Sequence, residues 1–314
     1  MKARSILGWI LRFIVLVVLF NVLFIVGSHA VTGLIPNIKS EPGLVSAETG
    51  LLIISILNTL LVIWLVLSSR WSGWKLALGL SFAYYGAVTF MTQIETWYFL
   101  SNITVGAQLL PRLFVMGIPI AFFFVPLAVW ILGKGRRKSD SVYNPALIMS
   151  VKQWALKLVI IAMVYLLLYW SAGYFIAWQN PELRAFYGSP GQILPFWTHT
   201  INNFSTDPGL FPFQILRAIL WTLYALPVIR GSKTNPWRTG ILVGLLFSIP
   251  QNISHILENP LMPIASVRVS HMIETASSTF IFGMVIVWLL HREHKSVGDL
   301  FGIKQEENHI EHFT

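Results

Sequence analysis

Apolar residues in this chain run in blocks near 20 residues long, at about 6–27, 49–68, 75–92, 108–132, 155–178, 210–229, 239–258 and 267–290. At about 1.5 Å per residue, each block is long enough to cross the roughly 30 Å hydrocarbon core of a bilayer as an α-helix. No water satisfies an exposed amide in lipid, so the backbone of each block must bond to itself. The blocks are also too long and too evenly apolar for barrel strands. The pattern predicts an all-α, polytopic transmembrane bundle of about eight helices, with 1–290 as a single membrane domain and 291–314 as a polar cytoplasmic tail.

Of the 314 residues, 55% are hydrophobic and 11% charged, with a mean hydropathy of +0.67. Soluble domains carry about 25% charge, so a soluble fold is excluded. The absence of cysteine excludes disulfides, thiolate metal sites and cysteine nucleophiles. Lys2, Arg4 and Arg12 precede an apolar core ending at Ser28-His29-Ala30, a small-x-small pattern compatible with signal cleavage. Residues 6–11 extend that core upstream, and the added length favours an uncleaved helix.

Basic residues sort to one side of the blocks. Lys2, Arg4, Arg70, Lys75, Lys134, Arg136, Arg137, Lys138, Arg230, Lys233 and Arg238 share it, while Lys39, Arg112, Arg184 and Arg268 fall on the other. The positive-inside rule then puts both termini in the cytoplasm with an even number of crossings, as a multi-pass protein of the cell membrane, read as a bacterial cytoplasmic membrane. Trp71, Trp74, Trp130, Trp154, Trp237 and Trp288 fall near the inner interface, and Trp97, Trp178 and Trp197 near the outer one. The net charge of +9 is spread over short loops without an aromatic-basic module, the run Gly133-Lys134-Gly135-Arg136-Arg137-Lys138 included. Membrane lipids are therefore the expected partners, and nucleic acid is not.

Two outer loops, about 28–48 and 179–209, are rich in Pro, Gly and Asn and show no amphipathic repeat. Asn102-Ile103-Thr104 and Asn203-Phe204-Ser205 have the form of glycosylation sequons. The tail carries His291, His294, His309 and His312 with Glu293, Glu306, Glu307 and Glu311, an unspecific metal-binding composition. No phosphate-binding loop, dinucleotide fingerprint or nucleophile elbow occurs in a suitable setting, so nucleotide-driven chemistry is not expected. Gly79, Gly86, Gly173, Gly240, Gly244 and Gly283 are expected to permit close helix packing, and Asn21 and Asn58 to bond to each other between the first two helices.

Scarce polar residues within apolar blocks locate candidate chemistry. His255 and Glu258 stand three apart at the end of the seventh block, and His271 and Glu274 three apart in the eighth, so each pair shares a helix face. The short connection with Pro260 and Pro263 makes the two helices neighbours, and the four side chains are expected to converge. Gln93, Glu95, Arg112 and Arg217 lie at a similar depth, with Arg217 and Glu274 roughly 10 Å from their helix ends. Arg268, His271, Thr275 and Ser278 form an inward polar stripe. A cavity open to the outer side follows, because lipid exposure of these groups would be costly.

Imidazole and carboxylate are ordinary ligands of zinc or another divalent metal, so His255, Glu258, His271 and Glu274 form a candidate metal site. The corresponding function is a metal-dependent membrane enzyme acting on a lipid-linked or amphiphilic anionic substrate at the outer leaflet. Glu258 and Glu274 would serve as ligand or base, and Arg217 and Arg268 would hold the anionic group. A proton- or cation-coupled carrier would use Glu95, Glu258 and Glu274 for the coupling ion, and Pro250, Gly244, Gly117, Pro119 and Pro126 to interrupt helices, although no inverted repeat occurs. The same residues could also be structural pairs in a receptor or assembly component, with His199 as a loop histidine. His255-Ile256-Leu257-Glu258-Asn259 resembles the His-x-x-x-Asn motif of membrane-embedded CAAX-type proteases. The paired glutamates followed by arginine, and the upstream Phe-x-x-x-His, are absent, so that activity is not carried over.

Overall fold

The computed structural model describes residues 3–35, 38–99, 106, 108–136, 149–294 and 296–300. Lys2, Arg137, Lys138, the 102–104 sequon and tail residues Glu306, Glu307, His309, Glu311 and His312 lie outside the described residues. The chain is an all-α polytopic membrane protein, and among the described residues six helical stretches are long and apolar enough to cross a bilayer: Ile6–Val31, Ala47–Ser68, Leu109–Ile131, Val151–Ala177, Leu210–Gly231 and Ala265–Leu290. The helices are α1 (Ala3–Ser28), α2 (Ala47–Ser68), α3 (Gly73–Tyr84), α4 (Met91–Tyr98), α5 (Leu109–Met116), α6 (Val125–Ile131), α7 (Val151–Ala172), α8 (Pro181–Phe186), α9 (Phe196–Thr206), α10 (Leu210–Gly231), α11 (Pro236–Asn252), α12 (Ala265–Leu290) and α13 (Val297–Leu300).

The other two expected crossings are helical but do not meet that standard. Residues 73–98 run as α3, a π-helical segment Tyr85–Phe90 and α4, which carries Gln93 and Glu95. The 17 residues of α11 end at Asn252, where Pro250 and the polar Gln251-Asn252 turn give way to the 3-10 segment Ile253–Ile256. Of the two, α11 packs inside the bundle and buries Leu242, Val243, Leu246 and Phe247, whereas α3 buries Leu76, Ala77, Leu80 and Ala83 on one face and leaves Leu78 and Phe82 exposed on the other. A helix surrounded by protein needs less apolar length than one facing lipid. Around Gly117, Pro119 and Pro126 the span passes from α5 through the π segment Ile120–Phe124 into α6 with the backbone helical throughout.

Side-chain caps start several helices where the sequence changes from loop to apolar run. Ser46 accepts from Thr49 N at 3.3 Å, Ser150 from Gln153 N at 3.3 Å, and Asn235 from Arg238 N at 2.9 Å with Pro236 following. At the end of the bundle where α2 stops and α11 starts, Arg70 donates to Ser232 O at 2.9 and 2.6 Å. Lys157, buried in α7, donates to Arg292 O at 2.7 Å. Trp74 packs on Trp130 and Trp237 on Trp288 near this end, while Trp97 and Trp197 are exposed at the opposite end.

The helix contact of widest extent joins α11 to α12, and two glycines permit it. A Cβ added at Gly283 would meet Gly244 Cα and N at 2.7 Å, so the two backbones touch. Gly173 does not share that role, because nothing approaches within 4 Å of its added Cβ; it faces open space at the start of the π segment Gly173–Ala177. Asn21 and Asn58 bond between helices but not to each other. Asn21 Nδ2 donates to Ser55 Oγ at 3.4 Å, and Asn58 Oδ1 accepts from Tyr84 Oη at 2.5 Å. Tyr84 is buried in α3, and this places the donor that Asn58 meets on that helix. The 179–209 loop is also more ordered than its composition suggested, since it contains α8 and α9.

Gly283→Val should lower the stability of the detergent-solubilised protein by about 2–3 kcal/mol, because backbone rather than a flexible side chain must move. Gly173→Ala should stay within about 1 kcal/mol of the parent, and thermal unfolding of the two variants side by side checks the contrast. A second test concerns His294, buried below the α7 N-terminus, where the Gln153 side chain donates to its carbonyl. Withdrawal from water, then the positive charges of Lys157 and Arg292, push its imidazole down to about 4; Asp299 acts in the opposite sense and His291 in the same one. The unfolded chain takes up a proton near pH 6.5 and the folded chain only near 4, so stability is fully present above pH 6.5 and is lost as pH falls toward 4. Hydrogen exchange of residues 291–294 and the first turn of α7 should accelerate across that window.

Candidate functional site

Arg217 sits on α10, with its side chain 4% exposed, and meets the Glu95 carboxylate of α4 in a two-pronged ion pair: Nη1 to Oε1 at 2.7 Å and Nη2 to Oε2 at 2.6 Å. Gln214, one turn earlier on α10, accepts from Nη1 at 3.0 Å, and the rings of Tyr165 and Phe213 each lie 5.8 Å from the guanidinium. A charge inside a membrane demands such pairing, and the planar fork of arginine suits a carboxylate. Glu95 is 33% exposed, so the pair is closed by protein on the arginine side and open on the other. Three polar atoms nearby in chain or space, Arg217 Nε, Gln214 Nε2 and Gln93 Oε1, are buried without a protein partner among the described residues.

On α12, His271 Nδ1 lies 3.3 Å from Glu274 Oε2, the expected i, i+3 pair. Its other nitrogen, Nε2, lies 2.9 Å from the hydroxyl of Tyr187, the residue that ends α8. These partners assign the protons: a carboxylate can only accept, so Nδ1 carries the hydrogen and Nε2 accepts from the tyrosine. Tyr187, His271 and Glu274 thus form a chain of hydroxyl, imidazole and carboxylate. Asn180 holds α8 in place by donating to Ser266 Oγ at 3.1 Å and Ser270 Oγ at 2.9 Å, both on α12. Glu95 and Glu274 are both within electrostatic reach of Tyr165, Tyr169 and Tyr187, so the ion pair and the chain share one polar region.

The remaining residues singled out in the sequence are placed differently. His255 is close enough to His271 to interact with it electrostatically, but its Nδ1 turns to Asn252 O at 3.0 Å. Glu258 is exposed and accepts from Ser40, beside a cleft of about 500 Å³ lined by residues 42–47, Leu51 and Leu257. Arg268, 1% exposed, donates to four backbone carbonyls: Met262 at 2.9 Å, Pro263 at 3.1 Å, Glu41 at 2.9 Å and Pro42 at 2.6 Å. It fastens two loops together rather than meeting a side-chain partner. Arg112 is exposed on α5, and His199 lies on α9 with Asn203 Nδ2 at 3.1 Å. The four-residue convergence on one point is therefore not formed, and among the described residues no three His, Asp or Glu side chains gather to hold a metal ion.

Tyr165, Tyr169, Gln214 and Tyr187 were missed in the sequence. Tyr165 and Tyr169 lie four apart on α7, and Gln214 and Arg217 three apart on α10, spacings that put polar atoms on one face and could have been read. Tyr187 carries no such signal, because α8 brings it to α12 through the fold. Comparison with known protein families, with curated proteins and with solved structures finds no match.

Removing one partner of the buried ion pair should cost more than removing both. Arg217→Met or Glu95→Gln alone should destabilise by about 3–5 kcal/mol. The Arg217→Met/Glu95→Gln double variant should recover part of that loss. Thermal unfolding of the three variants in detergent, treated as a double-mutant cycle, checks the coupling.

Proposed function

We propose that the chain is a membrane-embedded enzyme that performs acid–base chemistry on an amphiphilic, anionic substrate at the outer face of a membrane, with both termini on the cytoplasmic side. The observation that carries this reading is the Tyr187–His271–Glu274 chain. A hydroxyl on a histidine that is itself oriented by a carboxylate is the arrangement used to activate a hydroxyl or to return its proton. In this reading His271 Nε2 takes the Tyr187 proton, Glu274 stabilises the imidazolium, and the proton passes back as the reaction closes. Arg217, held by Glu95, places positive charge beside the tyrosines and would attract an anionic head group from the open, Glu95 side of the pair. Glu258 and Arg268 shape the rim, one at the cleft and the other by clasping the loops.

The metal-dependent version requires His255 and Glu258 to leave Asn252 and Ser40 and join His271 and Glu274 about a zinc or similar ion. Metal analysis of protein purified without chelator tests it, with one equivalent of metal as the supporting result. Proton-coupled transport is the second reading. It is favoured by the two acid–base pairs, Arg217–Glu95 and His271–Glu274, lying within reach of the same tyrosines.

The test offers reconstituted protein two amphiphile classes, a fluorescent anionic phospholipid and a polyprenyl phosphate, and follows products by mass spectrometry. Turnover should fall by about 10²–10⁴ in His271→Gln and Tyr187→Phe while the unfolding midpoint stays near the parent. Turnover unaffected by either change contradicts the relay. Absence of turnover together with proton-driven solute uptake that Glu274→Gln abolishes transfers the assignment to transport.

A further inference from the structure

The helix α9 (Phe196–Thr206) contains no Asp, Glu, Lys or Arg and buries none of its side chains fully. Its residues nonetheless divide into three faces. His199, Thr200 and Asn203 are half-buried toward the protein, with the His199 ring 5.1 Å from Trp178 and 5.4 Å from Tyr174. Thr198, Asn202 and Ser205 are exposed and polar. Between these faces runs an exposed apolar stripe of Trp197, Ile201 and Phe204, at i, i+4 and i+7, with Trp197 72% and Ile201 63% exposed.

The surface beside this stripe identifies what covers it. Residues 207–209 alone separate α9 from the membrane-crossing α10, and Tyr98 Oη fixes that corner by donating to Asp207 Oδ1 at 2.7 Å. The Phe204 ring lies 5.8 Å from Phe211, which begins the exposed apolar face of α10 continued by Leu216, Ile219 and Leu223. At its other end, Phe196 stacks at 5.3 Å on Phe175, which is exposed at the end of the α7 span. The stripe is therefore continuous with the lipid-facing surface of two spanning helices.

We infer that α9 is an interfacial helix, seated in the leaflet at its own end of the bundle with Trp197, Ile201 and Phe204 among the acyl chains and Thr198, Asn202 and Ser205 in water. Its occupant is the lipid surface, recognised through apolar and aromatic contact. Charge plays no part, because the helix holds no Asp, Glu, Lys or Arg. This inference requires only that the chain spans a membrane and is independent of the proposed catalysis.

Because the chain has no cysteine, single substitutions can be spin-labelled without altering a background site. The full-length protein would carry Trp197→Cys, Ile201→Cys or Phe204→Cys, and in separate samples Thr198→Cys, Asn202→Cys or Ser205→Cys, reconstituted in phosphatidylcholine vesicles. All six positions are exposed, so folding is preserved, which gel filtration verifies. The ratio of oxygen to nickel-chelate collisions should be several-fold higher at the first three positions than at the last three. Equal ratios at all six overturn the inference, as does spin–spin broadening at 197, 201 and 204, which would assign the stripe to a second copy of the chain.

Discussion

A guanidinium within a hydrocarbon layer must carry its counter-charge with it, and this requirement organises the polar half of the molecule. Arg217 is almost entirely enclosed, so its two-pronged bond to Glu95 fixes α4 against α10. Tyr165 brings α7 against the same group, and Gln214 supplies a further acceptor from within α10. Three helices thereby meet around one charge. The cost of leaving either partner alone far exceeds the net worth of the pair, so the contact acts mainly as a constraint on register.

The second organising element is α12. Its contact with α11 passes through Gly244 and Gly283, where backbone touches backbone and sliding is prevented. In its first turn the same helix carries Arg268, whose four carbonyl bonds hold residues 41–42 against 262–263. Ser266 and Ser270 receive Asn180 and so set α8 across the helix. One turn further in, His271 then faces Tyr187 on one side and Glu274 on the other. The proposed relay is thus supported by contacts whose own partners are backbone or short polar side chains, an arrangement that limits freedom in the reacting groups.

Much of the bundle was legible in the sequence because lipid imposes a severe rule on composition. The spans at 47–68 and 210–231 fall within a few residues of their apolar blocks, and Glu95, Arg217, His271 and Glu274 stood out because charge is rare in such blocks. Partner choice was less legible. Arg268 looked like an anion holder, but a guanidinium is equally suited to backbone carbonyls, which leave no mark in composition. Tyr187 arrives from a loop that reads as irregular, and the Trp197, Ile201 and Phe204 spacing within that loop is too short a pattern to stand out beside Pro, Gly and Asn. The early end of α11 at Asn252 likewise reflects its enclosure by other helices, a tertiary property.

The relay geometry is tested most directly by the ¹⁵N chemical shifts of the His271 imidazole in the reconstituted, histidine-labelled protein. The hydrogen should sit on Nδ1, with an Nε2 resonance that moves when Tyr187→Phe removes its hydrogen-bond donor. A ring protonated at Nε2, with shifts indifferent to Tyr187→Phe, would contradict it.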